Sequence, residues 1–331
     1  KQRNILLPKK TPQEMQQMFE EFNVKYNKKY ASLDQSSYRL NIFTENYNFI
    51  QDRNQQITNL VLEINQYTDL TLEEFRQLHS GYQQKQKKTL RLRKNTNFQN
   101  EDLPESVDWR DKLTTPVQKQ GACGSCWAFS TIVALEAAYA KQTGEIVKLS
   151  EQNVMDCCKL EDKGCNGGDP ESALNCVTKL IKGIMKEDDY PYQAITRKQC
   201  DFVKEKSVYL PDNYEDITPK NELVLKSFVA KQPVSTCIGA TTQIFQFYKS
   251  GIISHSEDCL NLPDHCIGIV GYGVEDDNKY WIVKNSWGNQ WGEQGYVRIL
   301  RTDNSNDIGM CAIASEPRIV NWQGGNNNQT N

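Results

Sequence analysis

The stretch Gln120-Gly-Ala-Cys-Gly-Ser-Cys126-Trp-Ala-Phe-Ser130 joins a glycine-containing turn to a long apolar segment. That segment, residues 127–140, is apolar nearly all round and ends near Thr143-Gly144, which predicts a buried helix. Cys126 therefore stands where the helix begins, and there the helix dipole lowers the pKa of a thiol and favours the thiolate. The stretch predicts a nucleophilic cysteine.

A thiolate nucleophile also needs a base, and the histidines of the chain are His79, His255 and His265. His265 is the best placed, because it directly precedes an apolar run that begins at Cys266 and has the pattern of a strand. A short acidic turn makes this run a hairpin with the next strand, which ends at Asn285. Asn285 should then lie near His265 and orient its imidazole. Cysteine, histidine and asparagine together predict a nucleophile, a base and an orienting group.

The composition narrows the class of protein. No uncharged apolar run in the 331 residues approaches the roughly 20 residues of a membrane-spanning helix, and we expect a soluble protein without a membrane partner. The net charge of −3 gives no support for nucleic-acid binding. Residues 1–102 carry 16 basic and 12 acidic side chains, whereas the remainder carries 23 and 30, so the two parts should attract each other.

All eleven cysteines lie between Cys123 and Cys311, so disulfide cross-links are expected only in the second part of the chain. This density, with a glycosylation acceptor at Asn328, is typical of an oxidising secretory route and not of the cytosol. Since the chain starts at Lys1 without an apolar leader, we expect it to be a trimmed form of a longer chain.

The first part of the chain has helical periodicity. One predicted helix begins at Pro12, a second covers 36–56, and a third covers 70–78 and opens with a capping box of Thr71 and Glu74. The apolar faces of these helices need a partner surface.

Beyond these helices, residues 83–102 form a basic and polar stretch that predicts a solvated linker, and residues 321–331 predict a flexible tail. The sequence pattern remains mainly helical to about residue 215.

After residue 215 the pattern changes to short alternating or apolar segments separated by Gly, Asp and Asn. These segments predict antiparallel strands at 233–238, 266–272, 280–284 and 296–300.

These motifs resemble those of the papain-like cysteine peptidases, most closely the cathepsin L-like branch. The family signature Cys-Gly-[Ser/Ala]-Cys-[Trp/Tyr] occupies residues 123–127, and His265 and Asn285 follow Cys126 by 139 and 159 residues. The resemblance implies an α+β, papain-like two-domain fold with an N-terminal α-helical propeptide. The helical domain would cover about 112–215 and an antiparallel β-barrel-like domain about 216–320, within a mature peptidase of residues 103–320.

The resemblance also implies the activity and the site residues. The protein would be an endopeptidase that cleaves peptide bonds through a thioester acyl-enzyme, without a metal or other cofactor. Cys126 would be the nucleophile, His265 the acid and base, and Asn285 the orienting group, and Gln120 would stabilise the oxyanion together with the backbone N–H of Cys126. The substrate-binding residues would be Gly167, Gly168, Asp169, Pro170, Cys237, Pro263, Cys266, Trp287 and Glu316, with Trp287 shielding the histidine and asparagine.

Substrate choice in this family lies mainly in the pocket for the side chain two residues before the cut, called P2. Glu316, five residues past Cys311, is expected at the base of that pocket, where a carboxylate would admit arginine as well as bulky apolar side chains. Asp169 would add negative charge nearby. The alternative for Glu316 is an ordinary surface carboxylate near a chain end.

Residues 1–102 resemble the inhibitory propeptide of the family. Its first motif departs from the usual pattern at Gln35, and its second departs at Glu63 and Tyr67. The matching positions are Arg39, Phe43, Asn46, Ile50 and Asn54 in the first motif, and Asn65 and Asp69 in the second. The resemblance implies that this segment runs backwards through the cleft and is removed in an acidic compartment, where protonated carboxylates would weaken the charge attraction.

The cysteines are assigned in part by the same resemblance, which implies the pairs Cys123–Cys165, Cys157–Cys200 and Cys259–Cys311. With Cys126 set aside, four cysteines remain and three pairings of them are open. These four are Cys158, Cys176, Cys237 and Cys266.

The expected partners are protein and peptide substrates, the protein's own propeptide and cystatin-type inhibitors, and we expect a monomer in a lysosome, an acidic vacuole or the secreted medium. A catalytically silent relative that acts as a binding or inhibitory protein is an alternative of another class, which the presence of Cys126 and His265 disfavours. Exopeptidase activity is a nearer alternative, but residues 164–191 contain no His-bearing loop of the kind that a dipeptidase of this family uses. A zinc or redox site at Cys123-x-x-Cys126 is disfavoured because the chain has no second such motif.

Overall fold

The computed structural model describes residues 10–56, 59–83, 102–159, 161–208 and 213–321. The acceptor at Asn328, most of the basic linker and most of the tail lie outside these residues.

The described residues of the first part contain three helices: α1 (Pro12–Lys25), α2 (Leu33–Gln56) and α3 (Leu72–His79). The predicted capping box of Thr71 and Glu74 opens α3. Helix α2 begins three residues earlier than predicted, because the Ser32 hydroxyl accepts from the Gln35 N–H while the Gln35 side chain accepts from the Ala31 N–H. Gln35, a departure from the family motif, therefore stabilises the start of α2.

Aromatic and apolar side chains hold α1 against α2. Phe19, Phe22 and Phe43 are buried and their rings lie 5.0 to 6.1 Å apart, and Met15 is buried beside them. The apolar faces read from the sequence thus form a small core within the first part of the chain.

Where the second part is described, it adds the helices α4 (Cys126–Thr143), α5 (Glu151–Cys157), α6 (Pro170–Asn175), α7 (Glu222–Val229) and α8 (Gln243–Phe247). Helix α4 is buried along nearly its whole length, as its apolar sequence predicts. It ends at Gly144, which has a left-handed φ of 78°. A π-helical stretch, Cys176–Ile181, continues α6, and short 3-10 turns occur at Gly164–Asn166, Lys204–Lys206, Ser256–Asp258 and Met310–Ala312.

The strands are β1 (Leu60–Leu62), β2 (Val107–Asp108), β3 (Ile184–Met185), β4 (Ser207–Val208), β5 (Tyr214–Asp216), β6 (Val234–Gly239), β7 (Tyr248–Ile253), β8 (Leu260–Glu275), β9 (Asn278–Lys284), β10 (Tyr296–Leu300) and β11 (Arg318–Val320). Strands β3 and β4 form a small separate pair.

The large sheet runs in the order β1-β7-β10-β9-β8-β6-β11-β5, with β2 also on β8. Its pairs are antiparallel except β7 with β10, which is parallel. The order ends at β1 and β5, so the described strands form an open sheet and not a closed barrel. Strand β1 belongs to the first part of the chain and extends the sheet of the second part.

Strands β8 and β9 form the predicted hairpin, in which Glu275 pairs with Asn278. Asp276 and Asp277 make the turn with φ of 47° and 63°, as a two-residue turn of the I′ type requires. Strand β8 starts at Leu260, earlier than the apolar run, because residues before Cys266 also pair with β6, and His265 faces Ile238 there. His265 therefore lies within the strand and not before it.

Helix α4 lies against β6 and β8, so the helical half and the sheet half meet along it. The Ser130 hydroxyl of α4 lies 2.6 Å from the Ser235 hydroxyl and donates to the Ile267 carbonyl at 2.7 Å. In the described part of the chain, no helix is both long and apolar enough to cross a membrane.

Five disulfides link the second part of the chain. They include the three pairs that the family resemblance implies, and the four cysteines left open pair as Cys158–Cys176 and Cys237–Cys266. Cys237 and Cys266 are direct partners across β6 and β8. Cys126 is the remaining cysteine, a free and buried thiol.

Candidate active site

Cys126 is the first residue of α4, as the sequence predicts, and no part of it is exposed. Burial raises the pKa of this thiol to about 12. The expected lowering by the helix dipole is therefore wrong for this state, because desolvation of the thiolate outweighs the dipole. The thiol is held neutral while the first part of the chain covers it.

His265 and Asn285 meet as the hairpin predicts. The Nε2 atom of His265 lies 2.7 Å from Oδ1 of Asn285, and the same oxygen accepts from the Ser286 N–H at 2.8 Å. Burial lowers the pKa of His265, while its hydrogen bonds to Asn285 and to the backbone carbonyl of His79 oppose this shift. The indole of Trp287 packs on the imidazole, with ring centroids 4.7 Å apart.

Gln120 is buried and fixed at both ends of its amide. Its NH₂ group donates to the Cys123 carbonyl at 2.9 Å, and its oxygen accepts from the Ser286 hydroxyl at 2.7 Å. The backbone N–H of Gln120 donates to the Ser286 carbonyl at 2.8 Å. Ser286 thus ties Gln120 to the strand end that carries Asn285, a role that the sequence did not reveal.

Residues 81–83 of the first part lie in the cleft directly over the thiol. The Gly168 N–H donates to the Gly81 carbonyl at 2.9 Å, and the Gln83 N–H donates to the Gly168 carbonyl at 3.0 Å. Tyr82 and Gly168 form a parallel bridge through these bonds. A Cβ atom on Gly81 would lie 3.0 Å from the Cys126 sulfur, so only glycine fits at this point of closest approach.

The side chain of Tyr82 fills a pocket beside the thiol. It is buried in a cluster with Cys126 and the Cys237–Cys266 disulfide, and its hydroxyl donates to Oε2 of Glu316. Glu316 is only 8% exposed, so the alternative of an ordinary surface carboxylate is wrong. The sequence pointed to Glu316 at this pocket but not to Tyr82.

Four carboxylates surround the buried guanidinium of Arg318. The nearest oxygens lie 2.9 Å away on Asp216, 3.0 Å on Glu171, 3.3 Å on Glu316 and 3.9 Å on Asp169. Glu171 and Asp169 are at the start of α6, whereas Asp216 and Glu316 belong to the sheet half. Arg318, which the sequence did not single out, therefore joins the two halves beneath the pocket.

The roles of the other predicted substrate-binding residues stay predictions, and the structure shows their local setting. Gly167 has φ of 102°, and a Cβ atom on Gly168 would lie 2.6 Å from the Trp127 ring, so both positions require glycine. Asp169 caps α6 by accepting from the Glu171 N–H, and Pro170 is the first residue of that helix. Pro263 lies in β8 and is partly exposed, and its contact with substrate stays a prediction.

An aromatic cluster from the first part of the chain packs on Trp287. The ring centroids of Phe75, His79 and Tyr67 lie 5.2, 4.9 and 6.4 Å from that of Trp287. Trp287 therefore contacts both His265 and the first part of the chain.

Comparison with known proteins agrees with this geometry. Residues 103–320 match the family described as papain family cysteine protease, and residues 19–75 match the cathepsin propeptide inhibitor domain. The chain belongs to the papain family of cysteine proteases. It is a papain-like cysteine endopeptidase in its proform, with an inhibitor domain in front of the peptidase.

The chain aligns over most of its length with relatives from plants. It is 42% identical over 287 residues to germination-specific cysteine protease 1 of Arabidopsis thaliana, covering 84% of this chain and 76% of that protein. It is 40% identical over 294 residues to the KDEL-tailed cysteine endopeptidase CEP2 of the same plant, covering 86% and 80%.

Solved proforms have the same fold. The recombinant stem bromelain precursor superposes with a TM-score of 0.83 at 34% identity, covering 94% of this chain and all of that one. Digestive procathepsin L 3 of the Tenebrio molitor larval midgut superposes with a TM-score of 0.83 at 33% identity, covering 95% of this chain and 100% of that one.

Proposed function

We propose that this zymogen hydrolyses peptide bonds through a thioester acyl-enzyme, with Cys126 as nucleophile, His265 as acid and base, and Asn285 as the orienting group. The observation that carries the proposal is the 2.7 Å contact between His265 and Asn285 on the β8–β9 hairpin, in a cleft whose other wall presents a free thiol at the start of α4. The covering segment over that thiol supports the role of the first part as an intramolecular inhibitor.

The reaction follows from the chemistry of these groups. With the cleft open, His265 takes the proton of the Cys126 thiol, and the thiolate attacks the scissile carbonyl carbon. The oxyanion is stabilised by the Cys126 backbone N–H and the Gln120 side-chain amide. His265 gives its proton to the leaving amine, and a thioester remains on Cys126. His265 then takes a proton from water, which attacks the thioester and releases the second product. Trp287 keeps bulk water from the hydrogen bond between His265 and Asn285.

We propose that residues 1–102 are the removable propeptide and residues 103–320 the mature peptidase, with the cut in the basic linker. The contacts of residues 81–83 with the cleft support this division, because they must be lost before a substrate can reach Cys126. Substrates would then form backbone hydrogen bonds with Gly168 in place of the propeptide.

For the P2 pocket we propose acceptance of bulky apolar side chains and of arginine. The burial of the Tyr82 ring against the Cys237–Cys266 disulfide supports the first, and the carboxylate of Glu316 with the acidic cluster around Arg318 supports the second. Comparable rejection of a P2 arginine by wild type and by Glu316→Ala would contradict the role of Glu316.

The experiment compares paired fluorogenic dipeptides ending in Phe-Arg and Arg-Arg, after acid activation under reducing conditions, for wild type and Cys126→Ala. Hydrolysis by wild type alone is expected. If wild type hydrolyses neither substrate after confirmed removal of residues 1–102, the result would instead favour the alternative of a binding or inhibitory protein.

We further propose a monomeric enzyme of a lysosome, an acidic vacuole or the secreted medium, whose partners include cystatin-type inhibitors. The five disulfides support an oxidising route.

A further inference from the structure

The propeptide places a tyrosine in the pocket next to Cys126, and the hydroxyl of this tyrosine has a defined partner. The Tyr82 ring packs on the Cys237–Cys266 disulfide, and its hydroxyl donates to Oε2 of Glu316 at the base of the pocket. Tyr82 is 8% exposed, so this hydrogen bond is shielded from water. The pocket therefore fits a phenol as well as an apolar ring.

The accepting carboxylate is held in place from behind. Arg318 donates through Nη2 to the Glu316 carboxylate at 3.3 Å and through Nη1 to the Glu316 carbonyl at 3.3 Å. The same guanidinium is fixed by Asp216 and Glu171, on either side of the cleft. Since Arg318 is itself only 1% exposed, the Glu316 carboxylate is preorganised as an acceptor that points into the pocket.

A phenylalanine in this pocket would fill nearly the same space without supplying a donor. The buried Glu316 carboxylate would then lose a charge-assisted hydrogen bond and gain no water in exchange. Sites built to hydrogen-bond a substrate hydroxyl discriminate against the analogue that lacks it for this reason. The peptidase supplies the walls of the pocket, so a substrate side chain in the pocket meets the same groups as Tyr82.

We propose that the P2 pocket selects tyrosine over phenylalanine, with Glu316 as the hydrogen-bond acceptor and Arg318 as the positioning residue that holds it. This inference rests on the proposed peptidase function and adds a donor-bearing aromatic side chain to the substrates expected there.

The test uses the activated enzyme and four fluorogenic substrates that differ only at P2: tyrosine, O-methyltyrosine, phenylalanine and leucine. O-methyltyrosine keeps the ring and the oxygen but cannot donate. For wild type we expect kcat/KM for tyrosine to exceed that for phenylalanine and for O-methyltyrosine by about tenfold, as one charge-assisted hydrogen bond allows.

Three variants locate the effect. In Glu316→Leu the tyrosine-to-phenylalanine ratio should fall to about one or below, since no acceptor remains. Arg318→Lys keeps the positive charge but loses the paired guanidinium donors that hold Glu316. The tyrosine-to-phenylalanine ratio of kcat/KM should therefore fall several-fold, while kcat/KM for P2 leucine changes less. A merely structural role of Arg318 would lower kcat/KM for all four substrates alike. Glu257→Gln, an exposed carboxylate outside the pocket, is the matched control.

The outcomes separate this inference from the proposed function. If no substrate is cleaved by wild type with a titratable Cys126, the peptidase function fails. If phenylalanine and leucine are cleaved but tyrosine is no better, or if Glu316→Leu keeps the wild-type ratio, the selectivity is overturned. If Arg318→Lys does not fold, the comparison of wild type with Glu316→Leu still decides the role of Glu316, and Arg318 is then tested with Arg318→Gln.

Discussion

Asn285 uses a single side-chain oxygen for two purposes, since Oδ1 lies 2.7 Å from His265 Nε2 and accepts from the Ser286 N–H at 2.8 Å. The backbone contact fixes the amide, and the fixed amide fixes the imidazole. Asn285→Ala should therefore lower kcat of the activated enzyme by about 10- to 100-fold with a smaller change in KM, because the base loses its orientation and not its substrate.

The control for this variant is Asn278→Ala, at the exposed far end of the same strand. It should leave kcat unchanged. Equal kinetics of Asn285→Ala and wild type would remove Asn285 from the mechanism.

Gly81 is the point at which the propeptide approaches the cleft most closely. A Cβ atom there would lie 2.3 Å from the Gly124 carbonyl oxygen and 3.0 Å from the Cys126 sulfur, so Gly81→Ala must displace the segment. We expect the Cys126 thiol of the Gly81→Ala zymogen to be alkylated at least about tenfold faster than in wild type at neutral pH, because the displaced segment admits solvent. Ser80→Ala, an exposed neighbour, should react like wild type.

The placement of Cys126, His265 and Asn285 could be predicted because each depends on a local pattern. Cys126 starts an apolar helix, and a two-residue turn brings His265 and Asn285 together. The contact of Tyr82 with Glu316 could not, because 234 residues separate them and no local pattern marks the pair. Arg318 was missed for the same reason, since its carboxylate partners come from three separate segments.

At the scale of elements, helix α3 ends in a buried histidine over the active site. His79 packs on Phe75, Tyr67 and Trp287, and neither of its ring nitrogens has a hydrogen-bond partner among the described residues. Burial lowers the pKa of His79 well below its ordinary value, and the charges of His265 and Lys119 lower this pKa further. The imidazole is therefore neutral in the closed zymogen.

This depressed pKa makes the closure of α3 depend on pH. A released His79 would titrate near an ordinary value of about 6.5, so the open state binds more protons than the closed state below that pH. Above about pH 6.5 the neutral His79 makes its full contribution to the closed state. Below that pH the equilibrium constant for closure falls by about tenfold for each pH unit, until the pH reaches the lowered pKa of His79 in the closed state. Acid should thus weaken the contact of α3 with Trp287.

His79→Phe should shift the pH at which the zymogen becomes active to lower values, by about half a unit to one unit, because phenylalanine fills the cavity without taking up a proton. The measurement is the rate of activation at fixed ionic strength between about pH 4 and pH 7, a range that includes the ordinary histidine pKa of about 6.5. His255→Phe, in an exposed loop, is the control. An unchanged profile for His79→Phe would show that another group senses acid.

Helices whose ends carry capping residues had predictable bounds, whereas strands that depend on a distant partner did not. Pro12 marks the start of α1, a capping box opens α3 and Gly144 ends α4, so these bounds could be read to within one or two residues. Strand β1 has only three residues and forms only because β7 offers an edge to it. The open form of the large sheet likewise depends on pairings between distant strands, which alternation of apolar residues does not specify.

At the scale of the whole molecule, the described ion pairs between the two parts include both arrangements of charge. Among the described residues, Arg53 of the first part pairs with Asp258 of the second at 2.7 Å, as the net charges predict. Glu63 of the first part pairs with Lys249 of the second at 3.0 Å, with the charges the other way round. The two parts are also held by strand β1 on the sheet, by the aromatic cluster on Trp287 and by Tyr82 in its pocket. We expect high salt to change the rate of activation only modestly, since the exposed Lys249–Glu63 pair is weak and the Arg53–Asp258 pair, whose carboxylate is buried, is screened less.

The state of the Cys126 thiol tests most directly whether the first part of the chain blocks a cysteine peptidase. Alkylation of Cys126 is measured against pH in the zymogen and again after removal of residues 1–102, with Cys126→Ala as the blank. We expect almost no reaction of the zymogen at pH 8, since burial raises the pKa of its thiol to about 12. After removal of residues 1–102 we expect rapid reaction, with hydrolysis appearing in parallel. The same rate and the same pH profile before and after removal would contradict this expectation.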